Sequence, residues 1–143
     1  MLVDAQNLFS DAQAITASAA STNLLDLGIA RSLGDGERLY VVCLVDTAFT
    51  DSGSDSTVAV TIETDDNADF SSATTAQTLG TFAALSAAGS VLIVPIAAFA
   101  TEERYVRLYY TLANGSLTTG AITAFITHDV QRYTAYADGF TIS

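Results

Sequence analysis

The segment Thr57-Val58-Ala59-Val60-Thr61-Ile62-Glu63-Thr64 decides the fold class of this chain. Successive side chains of an extended backbone point to opposite faces. Val58, Val60 and Ile62 therefore share one face, and Thr57, Ala59, Thr61 and Glu63 share the other. β-Branched residues dominate and no helical spacing competes. The segment reads as a strand with one face on a core and the other in water. Residues 103–111 repeat the pattern, with Val106, Leu108 and Tyr110 on one side and Tyr105, Arg107 and Tyr109 on the other. Residues 39–46 are apolar on both sides, which predicts a central strand covered on two faces.

Working outward, shorter β-rich runs occupy residues 13–19, 23–27, 77–81, 90–96 and 120–127. Turn signals separate the runs: Gly34-Asp35-Gly36, the polar stretch 51–56 and the acidic stretch 65–69. Asn114-Gly115 between two strand-like runs is a strong hairpin signal, because both residues tolerate positive φ. Residues 82–88 are rich in alanine but fenced by Gly80 and Gly89, and read as a strand end followed by a turn. The expectation is an all-β fold: a two-sheet antiparallel β-sandwich of about eight strands, arranged as a jelly roll. Strand number alone does not separate it from an immunoglobulin-like sandwich. The absence of tryptophan and of a cysteine pair removes the immunoglobulin hallmarks. No internal repeat or linker interrupts residues 1–143, so a single domain is expected.

Half of the 143 residues are hydrophobic and only 15% are charged, against about 25% in an ordinary soluble domain. This is a chain that can build a core, not a disordered one. The net charge is −11, and the basic residues are five arginines with no lysine. Scattered arginines among sixteen acids make no basic patch, which argues against nucleic acid and anionic membrane as partners. Cys43 is the only cysteine and sits in an apolar run, so an inert core thiol is expected. The start lacks a basic region of the signal-peptide kind. The apolar stretch 91–100 is interrupted by Pro95 and is far short of the roughly 20 residues of a membrane helix. A soluble product made in the cytoplasm is expected.

The search for chemistry yields little. His128 is the only histidine, and no Gly-x-Ser-x-Gly elbow accompanies it. One histidine and one cysteine do not make a zinc site. Asp65, Asn67 and Asp69 match the first ligand positions of an EF-hand loop, but Phe70 stands where the loop needs glycine and Ala76 where it needs glutamate. A looser oxygen site drawn from Asp51, Asp55, Glu63, Asp65, Asp66 and Asp69 is the remaining metal candidate; solvated acidic loops are the plainer reading. No phosphate-binding glycine loop is present. No catalytic residue, cofactor or enzymatic activity is expected.

Both ends are more apolar than exposed termini usually are. Leu2, Val3, Leu8 and Phe9 lie at the start, and Tyr133, Tyr136, Phe140 and Ile142 at the finish. They either pack on their own sandwich or dock on another chain. Arg104 and Arg107 flank Tyr105 and could fork onto a partner's carboxylates or neutralise acids within the chain. The candidate contact residues are Leu2, Leu8, Phe9, Arg104, Tyr105, Arg107, Tyr136 and Phe140. Removing residues 1–9 is expected to weaken docking while leaving the domain folded.

Several blocks together carry a resemblance: residues 8–14 (Leu-Phe-Ser-Asp-Ala-Gln-Ala), 46–57, 64–67, 103–110 and 136–139. In this order, over nearly the whole chain, they resemble the cement, or decoration, proteins of short-tailed bacteriophage capsids. The resemblance implies a jelly roll on the outer surface of the virion, made in the host cytoplasm. It implies clamping of neighbouring subunits of a major capsid protein in the expanded shell, by a homodimer, with a trimer as the second choice. It names no catalytic residue. A carbohydrate-binding jelly-roll module on the virion surface is the alternative, and it predicts an aromatic platform with a calcium site near Asp51 or Asp65.

Overall fold

The computed structural model describes residues 3–33, 35–36, 38–99, 102–128 and 130. A 3-10 turn, Ala5–Asn7, leads into nine strands: β1 Leu8–Ala14, β2 Ala19–Ala20, β3 Leu25–Arg31, β4 Tyr40–Thr50, β5 Thr57–Asp65, β6 Thr74–Phe82, β7 Val91–Pro95, β8 Glu103–Ala113 and β9 Thr119–Thr127. They form two antiparallel sheets, ordered β1-β9-β4-β7 and β2-β8-β5-β6, with β3 also on β8. β2 and β3 lie along the same neighbour in sequence, Ala19 opposite Tyr110 and Leu25 opposite Val106, so they act as one interrupted strand. Eight strand positions in two sheets of this order make the sandwich a jelly roll.

The alternating strands behave as their patterns predict. Val58, Val60 and Ile62 of β5 and Val106, Leu108 and Tyr110 of β8 point inward. From the opposite sheet they meet Val41, Cys43 and Val45 of β4 and Ile122, Ala124 and Ile126 of β9. These twelve side chains remove water from the space between the sheets, which is the main favourable term in folding a two-layer protein.

Two expectations need correction. The run at 13–19 is not one strand: β1 begins at Leu8 and ends at Ala14. Register shifts between Leu8 and Ser10 and between Ser10 and Gln13, with Ala12 at φ 45°, break its alternation, and a bulged strand hides from a period-two pattern. Asn114-Gly115 does form a tight turn with φ of 66° and 122°. Yet it closes no hairpin, because β8 and β9 belong to different sheets. Leu117 is buried just after the turn and the Thr118 amide donates to the Thr50 carbonyl, which carries the chain across to the other layer. Among the described residues, β5 and β6 are the consecutive strands that pair with each other. Residues 83–90 are turns joined by irregular backbone, in line with the reading of that stretch.

Candidate functional site

The outward face of β8 gathers the most polar and aromatic side chains of the candidate set. Tyr105, Arg107 and Tyr109 stand in a row, each half-buried, while the residues between them point into the core. Opposite them on β5 lie Asp65, Glu63 and Thr61. The Arg107 Nη2 sits 2.7 Å from a Glu63 carboxylate oxygen, and its Nε donates to the same oxygen at 2.8 Å. Its guanidinium also lies 4.2 Å over the Phe70 ring and 5.6 Å from that of Tyr109. A planar cation can satisfy a carboxylate along its edge while an aromatic covers its face.

Arg104, on the opposite side of β8, forks onto Asp26 of β3, with Nε and Nη2 donating to the two carboxylate oxygens at 2.7 and 2.9 Å. This pair is well exposed. The Arg104 guanidinium beside it holds the Asp26 carboxyl down to about 2, helped by the Gly28 amide. Of the two roles open to these arginines, the structure displays neutralisation within the chain for both.

The other predicted contact residues are dispersed. Leu8 is half-buried opposite Phe125, and Phe9 is wholly buried in the core. Phe9 therefore anchors β1 and is not offered outward. Removing residues 1–9, expected to leave the domain folded, would delete this core side chain and the start of β1. Leu2, Tyr136 and Phe140 lie outside the described residues.

The acidic loops bind themselves. The Asp51 carboxylate accepts from the Ser56 hydroxyl and the Ser56 and Asp55 amides, which pull its pKa down and tie the loop 51–56. Asp65, out of contact with water, accepts from the Asn67 amide at 2.9 Å and from the Ser72 amide at 2.7 Å and hydroxyl. The Asn67 amide first, then Ser72, hold its pKa down to about 2. The neighbouring Asp66 is pushed the other way by Asp65. Asp69 accepts from the Ser71 amide. Among the described residues no group of three His, Cys, Asp or Glu side chains is placed to hold a metal ion. Asp51 and Asp55 lie in the loop after β4, Asp65 is the last residue of β5, and Asp66 and Asp69 lie in the loop that follows it.

Two surface grooves flank the start of the chain. One, of about 680 Å³, runs between Ala5–Asn7 and residues 22–27. The other, of about 440 Å³, is lined by Leu25, Leu27, Leu33 and Leu39, with Asp4 and His128 as its titratable groups. Among the described residues that line it, the hydroxyl-bearing side chain is Thr127, and no serine, cysteine or lysine is present. Cys43 is sealed in the core, where burial pushes its thiol up to about 12, so it is no nucleophile either. No helix among the described residues is long and apolar enough to cross a membrane.

The outward row on β8 is visible in the alternation of residues 103–111. The partners Asp26, Glu63 and Phe70 are not, because each is distant in sequence and no spacing rule reaches them. The family model described as Bbp16 matches residues 9–126, which covers every strand from the second residue of β1 almost to the end of β9. No curated protein matches the chain.

Proposed function

The chain belongs to the Bbp16 family, and from that premise we propose that it is a structural virion protein of a bacteriophage. In this reading it binds the outside of the capsid and clamps neighbouring major capsid subunits, stabilising the expanded shell. The resemblance of residues 8–14, 46–57, 64–67, 103–110 and 136–139 to capsid cement proteins supports it. The observation that carries it is the Tyr105-Arg107-Tyr109 row on the outward face of a sandwich. Tyrosine and arginine are the residue types enriched where proteins meet, and the two packed sheets present them on a rigid surface.

The mechanism is mass action. A protein that binds the expanded shell better than the unexpanded one stabilises the expanded state by RT ln(1 + [L]/Kd) at each site. A self-paired copy carries two equal docking faces, so it can bridge two capsid subunits. Repetition over a shell multiplies individually weak contacts. In infected cells the protein is made in the host cytoplasm and ends on the outer capsid surface, with the major capsid protein as partner and a homodimer as the working unit, a trimer being the second choice.

Co-sedimentation with expanded and unexpanded shells tests this. Wild type should pellet with expanded shells, and Tyr105→Ala/Tyr109→Ala should bind about tenfold more weakly for each 1.4 kcal/mol by which the two rings favour docking. Equal retention of wild type and variant would remove the β8 row from the reading, and no retention of wild type would remove the reading itself. Tyr105 and Tyr109 on one face also suit a carbohydrate-binding module. A glycan array with and without chelator separates the two, since glycan binding without shell binding would favour that second reading.

A further inference from the structure

A two-layer sandwich has two open sides, where edge strands of its sheets run beside each other. Among the described strands, β1 of one sheet meets β2 of the other on one side, and β7 meets β6 on the opposite side. An edge strand turns the N–H and C=O of every second residue away from its neighbour, and such groups invite a strand from another chain. The Ile96 amide donates to the Leu39 carbonyl just ahead of β4, so Pro95 and Ala97 on either side of it turn outward. The Ser21 amide donates to the Leu108 carbonyl on β8, so Ala20 and Thr22 turn outward in the same way.

Two glutamine side chains take up these outward groups. Gln77 on β6 donates through Nε2 to the Pro95 carbonyl at 3.1 Å, and its Oε1 accepts from the Ala97 amide at 2.9 Å. On the other open side, Gln13 on β1 donates through Nε2 to the Ala20 carbonyl at 2.8 Å, and its Oε1 accepts from the Thr22 amide at 2.8 Å. Each side chain thus bonds the carbonyl before one residue and the N–H after it, as a residue on a parallel neighbouring strand does. A primary amide carries the donor and acceptor of a peptide group, so it can stand in for one. The sheets exchange roles between the two sides: the first lends Gln13 to the edge of the second, and the second lends Gln77 to the edge of the first. Pro95 has no N–H to offer, so the outward edge of β7 shrinks to Val91 and Ile93. β2 is only two residues long.

We propose that Gln13 and Gln77 are locks that close both open sides of the sandwich to strand addition, by a second copy or by an extended arm of a partner. A strand arriving at residues 20–22 or 95–97 must displace an amide held in the same chain, and a tether of this kind sets a millimolar-order effective concentration or higher. Docking is thereby confined to the faces of the sheets. The inference concerns the edges alone and is independent of shell binding.

The test is nuclear magnetic resonance on the full chain, joined to light scattering. In wild type, couplings across the hydrogen bonds should link the Ala97 nitrogen to Gln77 Cδ and the Thr22 nitrogen to Gln13 Cδ. Both amides should exchange with solvent at least about tenfold more slowly than in an unstructured peptide. Gln77→Met keeps the length of the side chain and removes its amide. It should speed exchange at Ala97 at least about tenfold, leave Thr22 unchanged, and give particles of higher mass than wild type at equal concentration. Gln13→Met, which also takes a partner from the Ser10 hydroxyl, should free Thr22 and leave Ala97 protected. Missing couplings together with peptide-like exchange in wild type would overturn the proposal, and that measurement needs no variant to fold. Release of the Ala97 amide with no rise in particle mass would overturn it as well, because the edge would then stand open and nothing would add to it.

Discussion

The Tyr110 hydroxyl lies 2.7 Å from the Ser10 hydroxyl, and both side chains are fully buried. Tyr110 belongs to β8 and Ser10 to β1, so this polar contact joins the two sheets through the core. Ser10 donates onward to the Gln13 carbonyl at 2.7 Å, which assigns Tyr110 as the donor to Ser10. Gln13 in turn accepts from the Thr22 amide and donates to the Ala20 carbonyl, tying bulged β1 to the start of the interrupted strand. Burial raises the Tyr110 hydroxyl's pKa, keeping it neutral and a donor.

Tyr110→Phe keeps the ring and removes the donor. A buried hydroxyl deprived of its partner costs about 1–2 kcal/mol. The variant should unfold at lower urea concentration with an unchanged slope, measured by circular dichroism. A larger destabilisation together with a changed slope would mean that the sheets themselves had shifted.

Asp65 and Asp66 should respond in opposite directions. The folded-state pKa of Asp65 is held to about 2, below its ordinary value of about 3.9. A depressed carboxyl stabilises the fold above the unfolded pKa, and that stabilisation is lost as pH falls from about 4 through about 2. Asp65→Asn should lower the melting temperature at pH 7 and flatten this acid limb, because an amide cannot accept from Asn67 and Ser72 together. Asp66→Asn should raise the melting temperature at pH 7. It removes a charge that Asp65 pushes up, and it keeps an oxygen for the Asn67 side chain now 2.7 Å away.

The two arginine pairs should differ in worth. Glu63 and Arg107 face each other across β5 and β8, largely shielded, with Phe70 over the guanidinium. A double-mutant cycle of Arg107→Ala with Glu63→Ala should give a coupling of about 1 kcal/mol that persists in high salt. The exposed Arg104–Asp26 pair should give a smaller coupling that disappears as salt screens it.

Gly120 lets β9 pass Phe49. A Cβ there would lie 2.8 Å from the Phe49 ring, which itself packs edge-on against Phe82 at 5.8 Å. Gly120→Ala should cost about 1–3 kcal/mol by forcing that aromatic pair apart, read as a lower calorimetric melting temperature.

Cys43 should be silent in the native protein. A fully buried thiol with its pKa pushed up to about 12 offers almost no thiolate at pH 8. Its reaction with a disulfide reagent should follow the rate of unfolding, and reaction within seconds on the folded chain would contradict the placement of β4.

Residues 57–64, 103–111 and 39–46 are legible as strands because their side chains alternate or are apolar throughout, and each forms a central strand. The start of β1 is not legible, since two bulges scramble the alternation. The row Tyr105-Arg107-Tyr109 can be read from spacing alone. Its partners cannot, because Glu63, Asp26 and Phe70 reach it only through strand pairing and loop return.

Local order along the chain thus determined the all-β class, the inward and outward faces of the clear strands, and the acidity that disfavours polyanionic partners. Those properties follow from side-chain period and charge, which any stretch of backbone carries by itself. Pairing was decided by tertiary structure: that the Asn114-Gly115 turn crosses between sheets and that β2 and β3 share one neighbour. The physical reason is that strand partners are chosen by the burial of a shared core between distant segments, and no local spacing encodes that choice.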